Sequence, residues 1–282
     1  MALPPILPTP CRAGALRLVV MSIPLLSVTV ITRNEAHRIA RCLGSVSFAD
    51  EWVVLDSGST DDTVAIARSL GARVHQSADW PGFGPQKNRA LDAAAGQWVL
   101  SLDADEVVGP ELASAIRAVM ARAARGEEVA DAYWIERSSR YCGRTIRFGD
   151  WRNDRVLRLF RRGRARFSDD LVHERLICPG RHPVLAGQLE HDSVDSPADA
   201  REKSERYARL GAVKLRARGR GGLTSALTHG AWTFLRGYLL RLGALDGRAG
   251  LAIAWLNARG TFLRYRLAGE PAPERTSSGD SA

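Results

Sequence analysis

Three short apolar runs, each ending in polar residues and the first two followed by helical patterns, constrain this chain more than any other feature. Leu26-Ser27-Val28-Thr29-Val30-Ile31-Thr32 reads as a strand that stops at Arg33-Asn34-Glu35, after which Ile39, Leu43 and Val46 recur at helical spacing. Glu51-Trp52-Val53-Val54-Leu55 is a second strand, and Val64, Ile66, Ala67 and Leu70 carry a helix to Gly71. Gln97-Trp98-Val99-Leu100-Ser101 is a third. Strands alternating with helices predict an α/β fold with a parallel sheet. Such sheets bind ligands beyond the carboxyl ends of their strands. There this sequence places Thr32 to Glu35, Asp56, and the pair Asp103 and Asp105.

Asp103 and Asp105 stand at i and i+2, which on an extended backbone points both carboxylates the same way. So placed, they can hold one hard divalent ion, Mg²⁺ or Mn²⁺, which typically takes one or two carboxylates together with phosphate oxygens. A diphosphate leaving group needs that grip. In the loop from Asp56 to Asp62, Gly58 allows a tight turn, Ser59 or Thr60 is placed to cap the next helix, and Asp61 and Asp62 favour its positive end. Asp56, last on its strand, is left with no capping duty, so its carboxylate is available to a base N–H or a ribose hydroxyl.

Four segments, taken together in this order and spacing, resemble the inverting glycosyltransferases of family 2. They are V-T-V-I-T-R-N-E at 28–35, V-L-D-S-G-S-T-D-D at 54–62, Q-K-N-R-A-L at 86–91 ahead of A-A-G-Q-W-V-L, and L-D-A-D-E at 102–106. The resemblance covers Ser22 to His191. It implies the GT-A fold, a mostly parallel sheet flanked by helices, and a metal-dependent inverting hexosyl transfer from a nucleotide-sugar. Carried over residue by residue, it implies that Thr32, Asn34 and Glu35 border the nucleotide and that Asp56 meets the uracil or ribose. Lys87 then takes the place of a basic residue near the nucleotide, and Asp103 and Asp105 bind ribose and metal-diphosphate. Within the family, the stretches Trp80 to Asn88, Arg155 to Arg162, Val172-His173-Glu174, Phe234 to Tyr238 and Leu245-Asp246-Gly247 are similar to bacterial lipopolysaccharide core glucosyltransferases. That similarity implies glucose from UDP-glucose as donor moiety and an inner-core sugar of a lipid-anchored saccharide as acceptor.

Inversion requires a base to take the acceptor hydroxyl's proton, apart from the metal pair that stabilises the departing diphosphate. The stretch Ser168 to Glu174 offers Glu174 first and Asp170 second, with His173 as a positioning or metal-side partner. A His-Glu dipeptide lacks the second His of a helical zinc site. Arg155, Arg158, Arg161, Arg162, Arg164 and Arg166 alternate with apolar residues and read as a strand with an arginine face. That face is either a wall for phosphates or a solvated surface.

The chain has 282 residues and a net charge of +9, from 40 Lys and Arg against 31 Asp and Glu, which points to an anionic partner. A nucleic-acid partner is set aside, because no recognition-helix or RNA-binding sheet motif is present. Cys11, Cys42, Cys142 and Cys178 are widely spaced and fit free thiols in a reducing compartment.

Residues 1–21 read as a disordered or wrongly started extension, with Met21 as a natural start. A secretory leader is rejected because its apolar run merges with the first strand. Residues 22–196 form the expected catalytic domain. Residues 197–268 read as amphipathic helices, with Trp232, Phe234, Tyr238, Trp255 and Phe262 among Arg236, Arg241, Arg259 and Arg264, and residues 269–282 as a disordered tail. Helices of that composition lie in a membrane interface and do not span it. They predict peripheral attachment to the anionic cytoplasmic face of the inner membrane. The rival within the fold is a polyprenyl-phosphate sugar transferase, whose ionised phosphate acceptor needs no base.

Overall fold

The computed structural model describes residues 24–152, 154–169 and 174–271. In chain order the elements are β1 (Leu26–Thr32), α1 (Ile39–Gly44), β2 (Glu51–Asp56), α2 (Thr63–Ser69), β3 (Arg73–Gln76), α3 (Phe83–Ala93), β4 (Trp98–Asp103) and β5 (Glu106–Val108). There follow α4 (Pro110–Ala124), β6 (Ala132–Tyr141), β7 (Arg144–Thr145), β8 (Asp154–Arg161), β9 (Arg166–Phe167), β10 (Leu176–Ile177) and β11 (Val184–Val194). Helices α5 (Pro197–Arg216), α6 (Leu223–Leu235) and α7 (Gly247–Ala268) complete it.

The main sheet runs β3-β2-β1-β4-β8-β6-β11-β5, with β7 paired to β6. Strands β1 to β4 are mutually parallel where the strand–helix alternation predicts it, and beyond β4 the sheet is mixed, with β8 antiparallel to both β4 and β6. All seven residues of β1 are buried, as a strand covered on both faces requires. One face carries the larger core, where Val28, Val30, Leu100 and Leu102 meet Ile39 and Leu43 of α1 and Leu112 and Ile116 of α4. The other face lies under α3, where Val99, Leu157 and Phe160 pack with Leu91 and Phe167.

One irregularity bears on function. Ala132, Tyr133 and Trp134 pair with Phe160, Leu159 and Leu157, so Arg158 is an extra residue in β8. A bulge of this kind bends the strand and re-aims a side chain, and Arg158 is aimed past the end of β4. Apart from Arg158, the arginines of residues 155–166 lie mostly at the solvent surface, the second of the two readings, and each is engaged locally. Arg155 pairs with Glu136, Arg161 and Arg164 with Asp131, and Arg166 with Asp92, while the Arg162 guanidinium donates to the Gly96 carbonyl.

Helix α7 packs against both α5 and α6. The start of α7 is tied to the sheet domain by Asp246, whose buried carboxylate accepts the backbone N–H groups of Arg147 and Phe148. Arg236 and Arg241 both pair with Asp150, and Arg259 with Glu205. These arginines, though partly exposed, also join parts of the protein to one another. Beside exposed arginines such as Arg241, Arg248 and Arg259, the region exposes large apolar residues, among them Leu239, Leu240, Leu245 and Trp255. No helix among the described residues is long and apolar enough to cross a membrane. Residues 1–21, and the tail beyond Pro271, lie outside the described residues.

Candidate active site

The site forms where β1, β2 and β4 end. Asn34 follows β1 with φ at 56° and is stitched to the loop after β2: its N–H donates to Ser59 Oγ at 2.8 Å, and its Oδ1 accepts the Thr60 N–H at 2.8 Å. A left-handed backbone suits Asn among the non-glycine residues. Ser59 and Thr60 thus bridge two strand ends and do not cap α2, whose first residue Thr63 donates its N–H to Asp61 Oδ1 at 3.1 Å. Asp56, as expected, does not cap α2, but it is engaged inside the loop. Buried, it accepts the Gly58 and Ser59 N–H groups at 3.1 and 3.0 Å and the Ser59 hydroxyl. It shapes this loop and presents no open carboxylate. Thr32 is buried, and its hydroxyl has no hydrogen-bond partner among the described residues. Glu35 pairs with Arg38 at 3.1 Å; burial pushes its carboxyl above the ordinary value, against the pull of that guanidinium.

Asp103 and Asp105 do not share a direction. Strand β4 ends at Asp103, and Asp105 lies in the tight turn that leads to β5. Asp103 is gripped from both sides, by Lys87 Nζ at 2.9 Å on Oδ1 and by the Arg158 guanidinium at 2.5 Å on Oδ2. Burial alone would raise its pKa, but these two cations outweigh burial and hold it well below the usual carboxylate range. Each Asp103 oxygen is thus engaged by one cation of the protein itself. Arg158 also meets Glu106 at 2.9 Å; Glu106 is fully buried and accepts the Asp103 N–H. A second arginine, Arg137, closes this network on Glu106 at 3.3 Å.

Asp105 faces His191 of β11, with Oδ2 3.4 Å from Nε2. On the far side of that ring Nδ1 lies 3.0 Å from the Ser193 hydroxyl. If Nδ1 carries the proton toward Ser193, the Nε2 lone pair points at a carboxylate, an arrangement that favours a cation between them. The described residues contain no group of three or more His, Cys, Asp or Glu side chains placed for a metal. Asp105 and His191 supply two of the donors an ion would need; hard divalent ions commonly take the rest from phosphate oxygens and water.

Lys87, 3% exposed, also contacts Glu174 Oε1 at 2.7 Å, so the expected base and the β4 carboxylate share one ammonium. Helix α3 approaches closely at Gly84, where an added Cβ would fall 1.8 Å from the Ser168 carbonyl oxygen. Asp170 and His173 lie outside the described residues. The structure thus brings together Asp103, Lys87 and Glu174, and adds Arg158, Glu106, Arg137 and His191. The sequence signal available for Arg158 was the dense arginine run; His191 carried none of its own.

A model of glycosyl transferase family 2 matches residues 27–177. An uncharacterized glycosyltransferase of Rickettsia typhi is 31% identical over 252 residues, covering 85% of this chain and 85% of that one. The lipopolysaccharide core biosynthesis glycosyltransferase LpsC of Rhizobium meliloti is 30% identical over 165 residues, 55% of this chain and 58% of its own. Among solved structures, S. aureus TarS with UDP-GlcNAc is 19% identical over 84% of this chain and 80% of that chain, with a TM-score of 0.43. The extent of the family match and the length of the Rickettsia alignment establish that this chain is a glycosyltransferase and belongs to glycosyl transferase family 2.

Proposed function

We propose that this glycosyltransferase moves a hexose, glucose from UDP-glucose, with inversion onto an inner-core sugar of lipopolysaccharide. The observation that carries the reading is the Lys87 bridge between Asp103 and Glu174 at the end of β4. It sets a cation for phosphate beside a carboxylate for the acceptor hydroxyl, the two charges that inverting transfer from a nucleotide diphosphate requires. The 30% identity to LpsC supports the acceptor class.

In this mechanism the Asn34–Ser59 bridge and the loop closed by Asp56 form the nucleotide wall, with Thr32 and Glu35 at its edge. Asp103, held in place by Arg158, meets the ribose. Asp105 and His191 would hold Mg²⁺ or Mn²⁺, which supplies charge neutralisation for the departing diphosphate. Lys87 is positioned for the same oxygens. Glu174 takes the proton from the attacking hydroxyl, with Asp170 as the alternative base and His173 as a neighbour that positions either. The acceptor is lipid-anchored, and the chain is peripheral on the cytoplasmic face of the inner membrane. The exposed Leu239, Leu240, Leu245 and Trp255 favour contact with lipid.

A calorimetric screen of UDP-sugars with and without Mn²⁺ or Mg²⁺, followed by transfer assays, tests this. Metal-dependent binding of UDP-glucose and glucosylation of a core saccharide are expected. Transfer to polyprenyl phosphate in place of a saccharide would move the protein to the rival class.

A further inference from the structure

Beside the Lys87 centre lies an open cleft of about 680 Å³, within the ~300–1,000 Å³ range of small-ligand sites. Its floor is Trp134 and Leu157, and its wall is the segment from Arg175 to His182. Three placements connect it to the reaction centre. Leu157 and Trp134 pack in the core on the α3 face, the side of the sheet from which Lys87 reaches Asp103. Leu159 stands opposite Leu100 in an antiparallel pair, so Leu157 lies further toward the carboxyl end of β4, level with the site. Leu157 is one strand and Trp134 two strands away from β4, roughly 5 and 10 Å at ordinary strand spacing. The wall begins one residue after Glu174.

The arginines of the cleft differ from those of the neighbouring strand. Every arginine from Arg155 to Arg166 has a partner within the protein. The exposed Arg175 and Arg181, by contrast, make no side-chain hydrogen bond or ion pair among the described residues. Two unpaired guanidinium groups lining the same cleft as a partly buried tryptophan offer an apolar surface together with anion donors. Sugars stack on such surfaces through their C–H faces, and guanidinium suits the oxygens of phosphate or carboxylate.

We infer that this cleft binds the acceptor, and that the acceptor is a saccharide carrying a negative charge, a phosphate monoester or a carboxylate, read by Arg175 and Arg181. The inference rests on the transfer reading above and adds to it the acceptor's charge class and seat. Trp134 supports the sugar ring, and the two arginines orient its anionic group. The hydroxyl to be glycosylated then faces Glu174.

The test uses the full chain, with UDP affinity measured first and the acceptor probes titrated at saturating UDP. Glucose 6-phosphate is compared with glucose and with inorganic phosphate by saturation-transfer NMR and calorimetry. The wild type is expected to bind glucose 6-phosphate at least tenfold more tightly than either control. The double variant Arg175→Ala/Arg181→Ala should lose that preference to within twofold, with its UDP affinity and melting temperature unchanged. Equal binding of glucose and glucose 6-phosphate by the wild type overturns the inference. So does a preference that survives in the double variant, or inorganic phosphate binding as tightly as the sugar phosphate. A chain that does not bind UDP at all overturns the transfer reading instead; the same titrations without UDP, wild type against double variant, still decide the cleft.

Discussion

Lys87 holds Glu174 with its Nζ 2.7 Å from Oε1 while the same ammonium reaches Asp103 at 2.9 Å. A diphosphate arriving at β4 competes for Lys87, and as the ammonium turns toward phosphate the Glu174 carboxylate is released to accept from the acceptor hydroxyl. Donor binding is thereby expected to precede productive acceptor binding.

Glu174→Gln keeps volume and much of the hydrogen bonding but removes the proton acceptor. Transfer is expected to fall by about 10²–10⁴-fold, the usual cost of losing a general base, with UDP-sugar affinity retained. Steady-state kinetics alongside calorimetry check both halves. If turnover falls less than tenfold while Asp170→Asn is inactive, Asp170 is the base.

Asp105→Ala and His191→Ala should each abolish metal-dependent UDP binding. Ser193→Ala, which removes the hydroxyl that orients the His191 ring, is expected to weaken it by about tenfold, at the mild end of outer-shell effects. Titration of UDP with and without Mn²⁺ gives the answer. Metal-dependent affinity kept within about threefold (~0.7 kcal/mol) in Asp105→Ala would rule out the ligand assignment.

Arg158→Met leaves Asp103 and Glu106 as neighbouring carboxylates without their shared cation. Breaking a buried pair by removing one partner costs about 3–5 kcal/mol, so a loss of that size is expected in denaturant unfolding. Arg158→Lys should recover only part of it, because an ammonium lacks the planar fork that spans two carboxylates. A loss below about 1 kcal/mol for Arg158→Met would mean that the network carries little of the fold's stability.

Replacing Leu239, Leu240 and Leu245 with Ser should release the protein from anionic vesicles without lowering its melting temperature, since all three are exposed. Gln at Arg236 and Arg241 should instead lower the melting temperature, because Asp150 loses both of its partners. Cosedimentation and thermal unfolding separate the two effects. Wild type that ignores anionic vesicles even at low salt would remove the membrane assignment.

The strand–loop–helix order of the first hundred residues was legible because each strand is a short apolar run closed by turn chemistry, as in β1 with Asn34 and β2 with Gly58. The C-terminal helices were legible from their breaks at Gly219 to Gly222 and near Gly243. Side-chain direction at the site was not. Asp103 and Asp105 look like a pair when β4 is extended through both, but the chain turns at Ala104, and nothing in the composition of Leu102 to Glu106 marks that turn. Arg158 was one of six arginines until a bulge in the pairing of β8 with β6 singled it out. His191 stands 86 residues beyond Asp105 and meets it only because β11 returns beside β5. Pairings across such separations leave no periodic trace.

Asp246 accepts the N–H groups of Arg147 and Phe148 from nearly a hundred residues further along the chain. An attempt to trim the protein to its sheet by ending it at Ser196 would strip two amide donors of their acceptor and uncover Ile146, which packs against Ala249 and Ile253. The segment that leads into β8, and hence into the bulge at Arg158, would lose its anchor. A shortened enzyme should therefore fail first at its catalytic centre, although every residue of that centre would still be present.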